Sequence, residues 1–288
     1  MNDYVIFTDS SCDLKEDLLS RMGIEFESLT FRFNDEDKEY ENSDMPIDKF
    51  YTKMIEGKVA KTSAVNSNTF AMRFEEILKQ GKDILYVGFS SGLSTTFNSA
   101  RIAADELSVK YPDRRILVSD SLCASAGLGL LICICSDMKA GGKTIDEIKD
   151  FIENRKLNIC HWFTVNDLVY LKRGGRISPT TAFVGNMLGI KPIMHVDNEG
   201  HLVNVSKSRG RRAAIAALAD KYTELSKNAE NGRFFISHAF CENDAKLLSD
   251  MIEAKHGVKA EIITDVGPVI GAHSGPGTLA LFFVGTTR

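Results

Sequence analysis

The chain has no C-x-x-C pair, no long apolar run and no surplus of positive charge, and each gap removes a class of function. Its six cysteines, Cys12, Cys123, Cys133, Cys135, Cys160 and Cys241, lack the spacings used by structural zinc and dithiol redox sites, so no metal is expected. Cys133 and Cys135 lie in the apolar stretch LLICICSDM, where free cysteine behaves as a small hydrophobe, and the compartment expected is reducing. The longest weakly polar run, Ala124 to Cys135, is shorter than the ~18 apolar residues of a membrane helix and reads as a buried helix. No stable membrane insertion is expected. A net charge of -4 and a pI near 5.9 argue against a protein that coats nucleic acid, which needs clustered Lys and Arg across its contact face. The opening MNDYVIFTDSSCD puts acidic residues where a secretory signal needs positive charge and an apolar core, so a cytoplasmic location is expected.

Two nucleotide fingerprints are also missing. In 137-DMKAGGKT-144, Asp137 stands where a phosphate-binding loop needs its first glycine. The first strand-to-helix turn reads FTDSSCDL in place of a dinucleotide glycine motif, so no bound nucleotide or other cofactor is expected.

What is present is an alternating grammar. In 4-YVIFTDSSCDL-14, 84-ILYVGFSSGLSTTF-97 and 116-ILVSDSLCASAGLGLL-131, a β-branched run leads through a Ser/Thr/Asp loop into a helical stretch. This predicts an α/β fold with a mostly parallel sheet, its ligand beyond the carboxyl ends of the strands. A fourth hydroxyl-rich segment, 61-KTSAVNSNTF-70, precedes a helix predicted to run from about Thr69 to Lys79, with Ser67 or Asn68 as its N-cap. The charged region 34-NDEDKEYENSD-44 reads as a solvated loop or polar hairpin. Near Asn158 the pattern changes, and strands at Ile193–Val196, Leu202–Ser206, Phe234–His238 and Glu261–Thr264 alternate with two helices. The expected organisation is an N-terminal α/β domain over 1–159 and a smaller α+β domain over 160–288, with a cleft between them.

The segment 88-GFSSG-92 fits G-x-S-x-G, the elbow of serine hydrolases, and Ser90, Asp265 and His273 follow in the order of that triad. The spacing opposes it. Only seven residues separate Asp265 from His273, too few for the crossover that joins successive parallel strands. The alternative is an anion holder: free N–H groups where a helix begins near Ser94, with hydroxyls from Ser90, Ser91 and Ser94, from Thr62 and Ser63, and with His273 as a further donor.

Eight motifs in order, TDSSCDL, TSAVNS, GFSSGLSTTFNSA, VSDSLCASAGLGLL, LKRGGRIS, MLGIKPI, SRGRR and GPVIGAHSGPG, resemble the DegV family, bacterial fatty-acid-binding proteins that serve as the B subunit of fatty acid kinase. The resemblance implies a two-domain protein that buries one long-chain fatty acid and presents its carboxylate to a separate ATP-dependent kinase subunit, without being the catalyst. It implies Thr62, Ser91 (Ser90 next) and His273 at the carboxylate, and Arg173, Arg176, Arg209 and Arg211, with Arg212 beside them, on a kinase-docking surface. The chain departs from the family pattern at Val65 and Asn66, where a proline is common, and at Thr95-Thr96-Phe97, where Gly-Thr-Tyr is common.

Elementary energetics agree with such a ligand. Burying a methylene is worth roughly 0.8 kcal/mol, so ~14 of them supply about 11 kcal/mol before ordering costs, and a neutral head-group site suffices for orientation. Candidates for the tunnel wall are Phe183, Met187, Leu188, Ile190 and Ile193 in 182-AFVGNMLGIKPIM-194, where Met and Gly suit an adaptable cavity.

Overall fold

The structure is a computed structural model and describes residues 3–178, 189–228 and 232–288. Its first sheet contains β1 (Tyr4–Asp9), β2 (Ile24–Glu27), β6 (Asp83–Gly88) and β7 (Ile116–Asp120), parallel throughout in the order β2-β1-β6-β7. Every residue of β1 and β6 is buried, as central parallel strands require when helices cover both faces. Helices α3 (Ser67–Lys79) and α4 (Thr96–Lys110) cover one face, where Phe70, Phe74 and Ala103 meet Phe7, Ile84 and Tyr86. Asn66 caps α3 by accepting the Thr69 N–H at 2.9 Å, so the predicted caps Ser67 and Asn68 fall one and two residues too late.

The opposite face carries α5 (Ala126–Ala140), apolar on all sides because it is sandwiched between two sheets. Two glycines permit this. A Cβ on Gly129 would lie 2.8 Å from the Cys12 carbonyl oxygen, and one on Gly127 would lie 2.2 Å from His161 Nε2 on the other side.

The second sheet holds β8 (Ile159–Thr164), β9 (Ile190–Val196), β10 (Leu202–Arg209), β11 (Phe234–His238), β12 (Ile262–Asp265) and β13 (Leu279–Val284). Its order is β10-β9-β8-β13-β11-β12, antiparallel except for the β11–β12 pair. Strand alternation divides its residues between two cores. Trp162, Phe234 and Phe283 face α8 (Arg211–Leu225) and α9 (Glu242–His256), while Phe163, Phe235, Ala280 and Phe282 face α5. Ile193 joins the first group and Ile190 is only partly buried, and neither lines the central cavity, contrary to the tunnel expectation. Phe183, Met187 and Leu188 lie outside the described residues.

A third, small antiparallel sheet was not foreseen. Strands β3 (Thr30–Phe33), β4 (Tyr40–Glu41) and β5 (Ala60–Ser63) run in the order β4-β3-β5, so the charged region after Phe33 is a hairpin and Thr62 stands on a strand. Helix α2 (Ile47–Ile55) closes over it, with the rings of Phe31 and Phe50 edge to face at 5.1 Å. Against this sheet docks the short helix α10 (Pro268–Ser274), formed by the Gly/Pro-flanked segment near the C-terminus. Helices α1 (Glu16–Arg21), α6 (Ile145–Arg155) and α7 (Val169–Arg173) complete the described connections. No helix among the described residues is long and apolar enough to cross a membrane.

Candidate functional site

In the parallel sheet β1 has β2 on one side and β6 on the other, so the loops after β1 and β6 diverge and open a crevice at the topological switch point. The inner face of the second sheet closes that crevice into a cavity of about 490 Å³. Its walls include Phe89, Leu93, Phe163, Val269, Ile270 and Phe282. An apolar chamber with few polar groups at one side is the usual form of a small-molecule site.

The polar side gathers residues far apart in sequence. Thr62 Oγ1 of β5 lies 2.8 Å from His273 Nε2 of α10, and both line the cavity. Burial, and then the charge of Arg176, hold the His273 pKa down to about 4, so the ring is neutral at pH 7. Its Nδ1 is buried without a partner among the described residues. Because an unmet N–H is costlier than an unmet lone pair, the proton belongs on Nε2, which donates to Thr62 Oγ1. The Thr62 hydroxyl proton is then free for an anion. Gly174 makes the ring's position possible, since a Cβ there would lie 2.1 Å from Nδ1.

The loop after β6 supplies the rest. Ser91 and Ser94 line the cavity, the Ser91 N–H donating to Asp120 Oδ1 at 3.2 Å and Ser94 Oγ accepting the N–H of Thr96, the first residue of α4, at 3.2 Å. Arg176 also lines it, which the motif LKRGGR did not reveal: the guanidinium turns inward, donating to the Leu93 carbonyl at 3.0 and 2.8 Å and to Gly174 at 2.5 Å. It therefore leaves the expected docking surface and places positive charge beside the histidine.

Other expectations change as well. Ser90 is fully buried and off the cavity, its Oγ donating to the Gly200 carbonyl at 2.9 Å and accepting the Gly92 N–H at 3.2 Å, which clasps the β9–β10 turn to this loop. Ser63 is exposed on the opposite face of β5 from Thr62 and does not line the cavity. No hydrolase triad forms, because His273 pairs with Thr62 while Asp265 lies 3.7 Å from His238. Arg211 is taken up by Asp244 at 2.8 Å. Arg173 is exposed over the Tyr170 ring, and Arg209 and Arg212 are exposed with no ion pair among the described residues.

A second polar group lines the cavity from Ser125, at the start of α5, and Ser237 of β11. The spacing of these residues gave no sign that they converge.

Comparison with known proteins agrees with this geometry over the whole chain. The DegV family model matches residues 3–286. A DegV domain-containing protein of Clostridium perfringens is 43% identical over 100% of this chain and 99% of its own length. A structure from Thermotoga maritima, described as a DegV lipid binding protein, superposes with a TM-score of 0.85 at 29% identity, covering 99% of both chains. One from Thermus thermophilus, a DegV family protein described by its fatty acid binding, gives 0.88 at 26% identity over 99% of this chain and 100% of its own. With an end-to-end match to the family model and a relative of such identity over its full length, the chain belongs to the DegV family.

Proposed function

We propose that the protein binds one long-chain fatty acid and presents its carboxylate to a separate ATP-dependent kinase subunit, which transfers the γ-phosphoryl group to a carboxylate oxygen and releases ADP. The observation that carries the reading is the Thr62–His273 pair at the polar side of a largely apolar cavity. The Thr62 hydroxyl and the Ser91 hydroxyl donate to the carboxylate, the neutral His273 polarises Thr62, and Arg176 balances the negative charge without a direct ion pair. Such a site orients a carboxylate while leaving an oxygen nucleophilic. The halves 1–159 and 160–288 act as the two jaws around the acyl chain. Arg173 and Arg209, with Arg212, form the face that docks the kinase. The chain itself is the carrier, and the lipid and fatty acid binding described for its structural neighbours supports this reading.

Native mass spectrometry of the purified protein, with denaturing lipid extraction of the same sample, tests it. The expected result is one added mass per chain that extracts as a fatty acid. Protein that stays empty and fails to take up added fatty acid would sink the proposal.

A further inference from the structure

One polar cluster in the cavity lies outside the carboxylate site proposed above. Ser237 stands on the inner face of β11, the same face as Phe235 and directly across from Ala280 of β13. It is fully buried, lines the cavity, and its Oγ lies 2.9 Å from Ser125 Oγ. Ser125 donates in turn to Asp13 Oδ2 at 2.5 Å, and Asp13 Oδ1 accepts the Gly267 N–H at 3.0 Å. Ser125 holds this position at a φ of 52°, a region that residues with a Cβ seldom occupy.

Proton counting gives the chain a direction. Each serine has one hydroxyl proton. When Asp13 is ionised, the Ser125 proton goes to the carboxylate, the Ser237 proton goes to Ser125, and Ser237 turns only lone pairs toward the cavity. When Asp13 is protonated the relay reverses, and Ser237 offers its proton. Burial lifts the Asp13 carboxyl to about 7, with Asp265 and Asp9 adding to the rise, so both forms exist near neutrality. A second hydroxyl, Ser274 Oγ, also lines the cavity, is 6% exposed and has no partner among the described residues. A plain hydrocarbon offers no second partner to Ser237 beside Ser125 and none to Ser274, and a carboxylate at Ser237 would face Asp13. A hydroxyl on the acyl chain, donor and acceptor at once, serves either direction of the relay.

We infer that the cavity takes an acyl chain bearing a hydroxyl along its length, hydrogen-bonded by Ser237 at the end of the Asp13–Ser125–Ser237 relay. This rests on the fatty acid reading above and names the class of acyl chain that the site accepts. An unmet buried hydroxyl weakens binding about tenfold or more, so a hydroxyl in register with Ser237 escapes a penalty that any other position incurs.

The test measures, on the delipidated full chain, affinities for stearic acid and for monohydroxystearic acids with the hydroxyl at successive positions. One member is expected to bind at least as tightly as stearic acid, and Ser237→Ala to lower its affinity relative to stearic acid by about tenfold. Asp13→Asn donates to Ser125 and fixes the relay outward, so the oxo acid of the same register should then rival the hydroxy acid. If every hydroxy acid binds tenfold or more weaker than stearic acid, or if neither variant moves the ratio, the inference is overturned while fatty acid binding stands. If stearic acid does not bind either, both readings fall together.

Discussion

A single proton on His273 decides what Thr62 can offer. With the proton on Nε2, the threonine hydroxyl keeps its own hydrogen free for the carboxylate proposed above. Thr62→Ala removes a donor to a charged group, and the affinity for fatty acid should fall roughly 10- to 100-fold by competitive displacement. An unchanged affinity would remove Thr62 from the site. The histidine also leaves a pH signature. Its pKa is about 4 in the native state against 6.5 for a freely solvated histidine, so between these values the unfolded chain binds a proton that the folded chain does not. Its contribution to stability is full above pH 6.5 and is lost as pH falls toward 4. Asp13, lifted to about 7, contributes with the opposite sign, its stability being lost as pH rises from about 4 to 7, so the difference between two proteins isolates the histidine. Denaturant melts should show a shallower acid loss between pH 6.5 and 4 for His273→Gln than for the wild type. Gly174 supplies a third check at this scale. Its φ is -74°, which alanine tolerates, so Gly174→Ala acts through the clash with His273 alone. It should cost about 1–3 kcal/mol and weaken fatty acid binding, both read from ligand-dependent thermal melts.

At the scale of elements, the G-x-S-x-G segment shows how a motif can be read correctly in outline and wrongly in role. Ser90 and Ser91 are neighbours, yet one joins β6 to the β9–β10 turn and the other lines the cavity. Ser90→Ala should therefore destabilise the fold by about 1–3 kcal/mol, because Gly200 loses a buried donor. A fluorophosphonate probe should label neither protein, and labelling at Ser90 would restore a nucleophilic role. The helix α5 was recognisable from its unbroken apolar composition. What it separates was not, because a helix that is apolar all round gives no phase by which to assign its faces. The small β3–β4–β5 sheet escaped because strands of two to four residues are too short for alternation to register.

Across the whole molecule, the net charge of -4 makes local positive features conspicuous. The sequence displayed two arginine clusters, and folding distributes them among three roles. Arg176 serves the cavity, Arg211 is bound to Asp244, and Arg173, Arg209 and Arg212 remain at the surface. If the surface set docks an acidic partner, the double variant Arg173→Ala and Arg209→Ala should bind fatty acid as the wild type does yet support little acyl-phosphate formation with the kinase subunit. The wild-type reaction should also weaken as salt rises, since exposed charges more than a Debye length apart are screened. Full activity in the double variant would remove the docking assignment.

By itself the sequence determined the alternation of strands and helices, the hydroxyl-rich loops after β1, β6 and β7, and a set of donor candidates, Thr62, Ser63, Ser90, Ser91, Ser94 and His273, from which only the family resemblance selected three. These follow from local periodicity and motif, which a linear chain records directly. Tertiary structure alone decided the faces and the pairings. Ile193 lies on a strand between two apolar cores, so its alternation could not say which core it enters. Thr62 and His273 are 211 positions apart, and Asp13, Ser125 and Ser237 are spaced 112 apart, distances over which no local pattern carries information. They meet only because α5 and α10 bring the loops of the parallel sheet against the inner face of the second sheet.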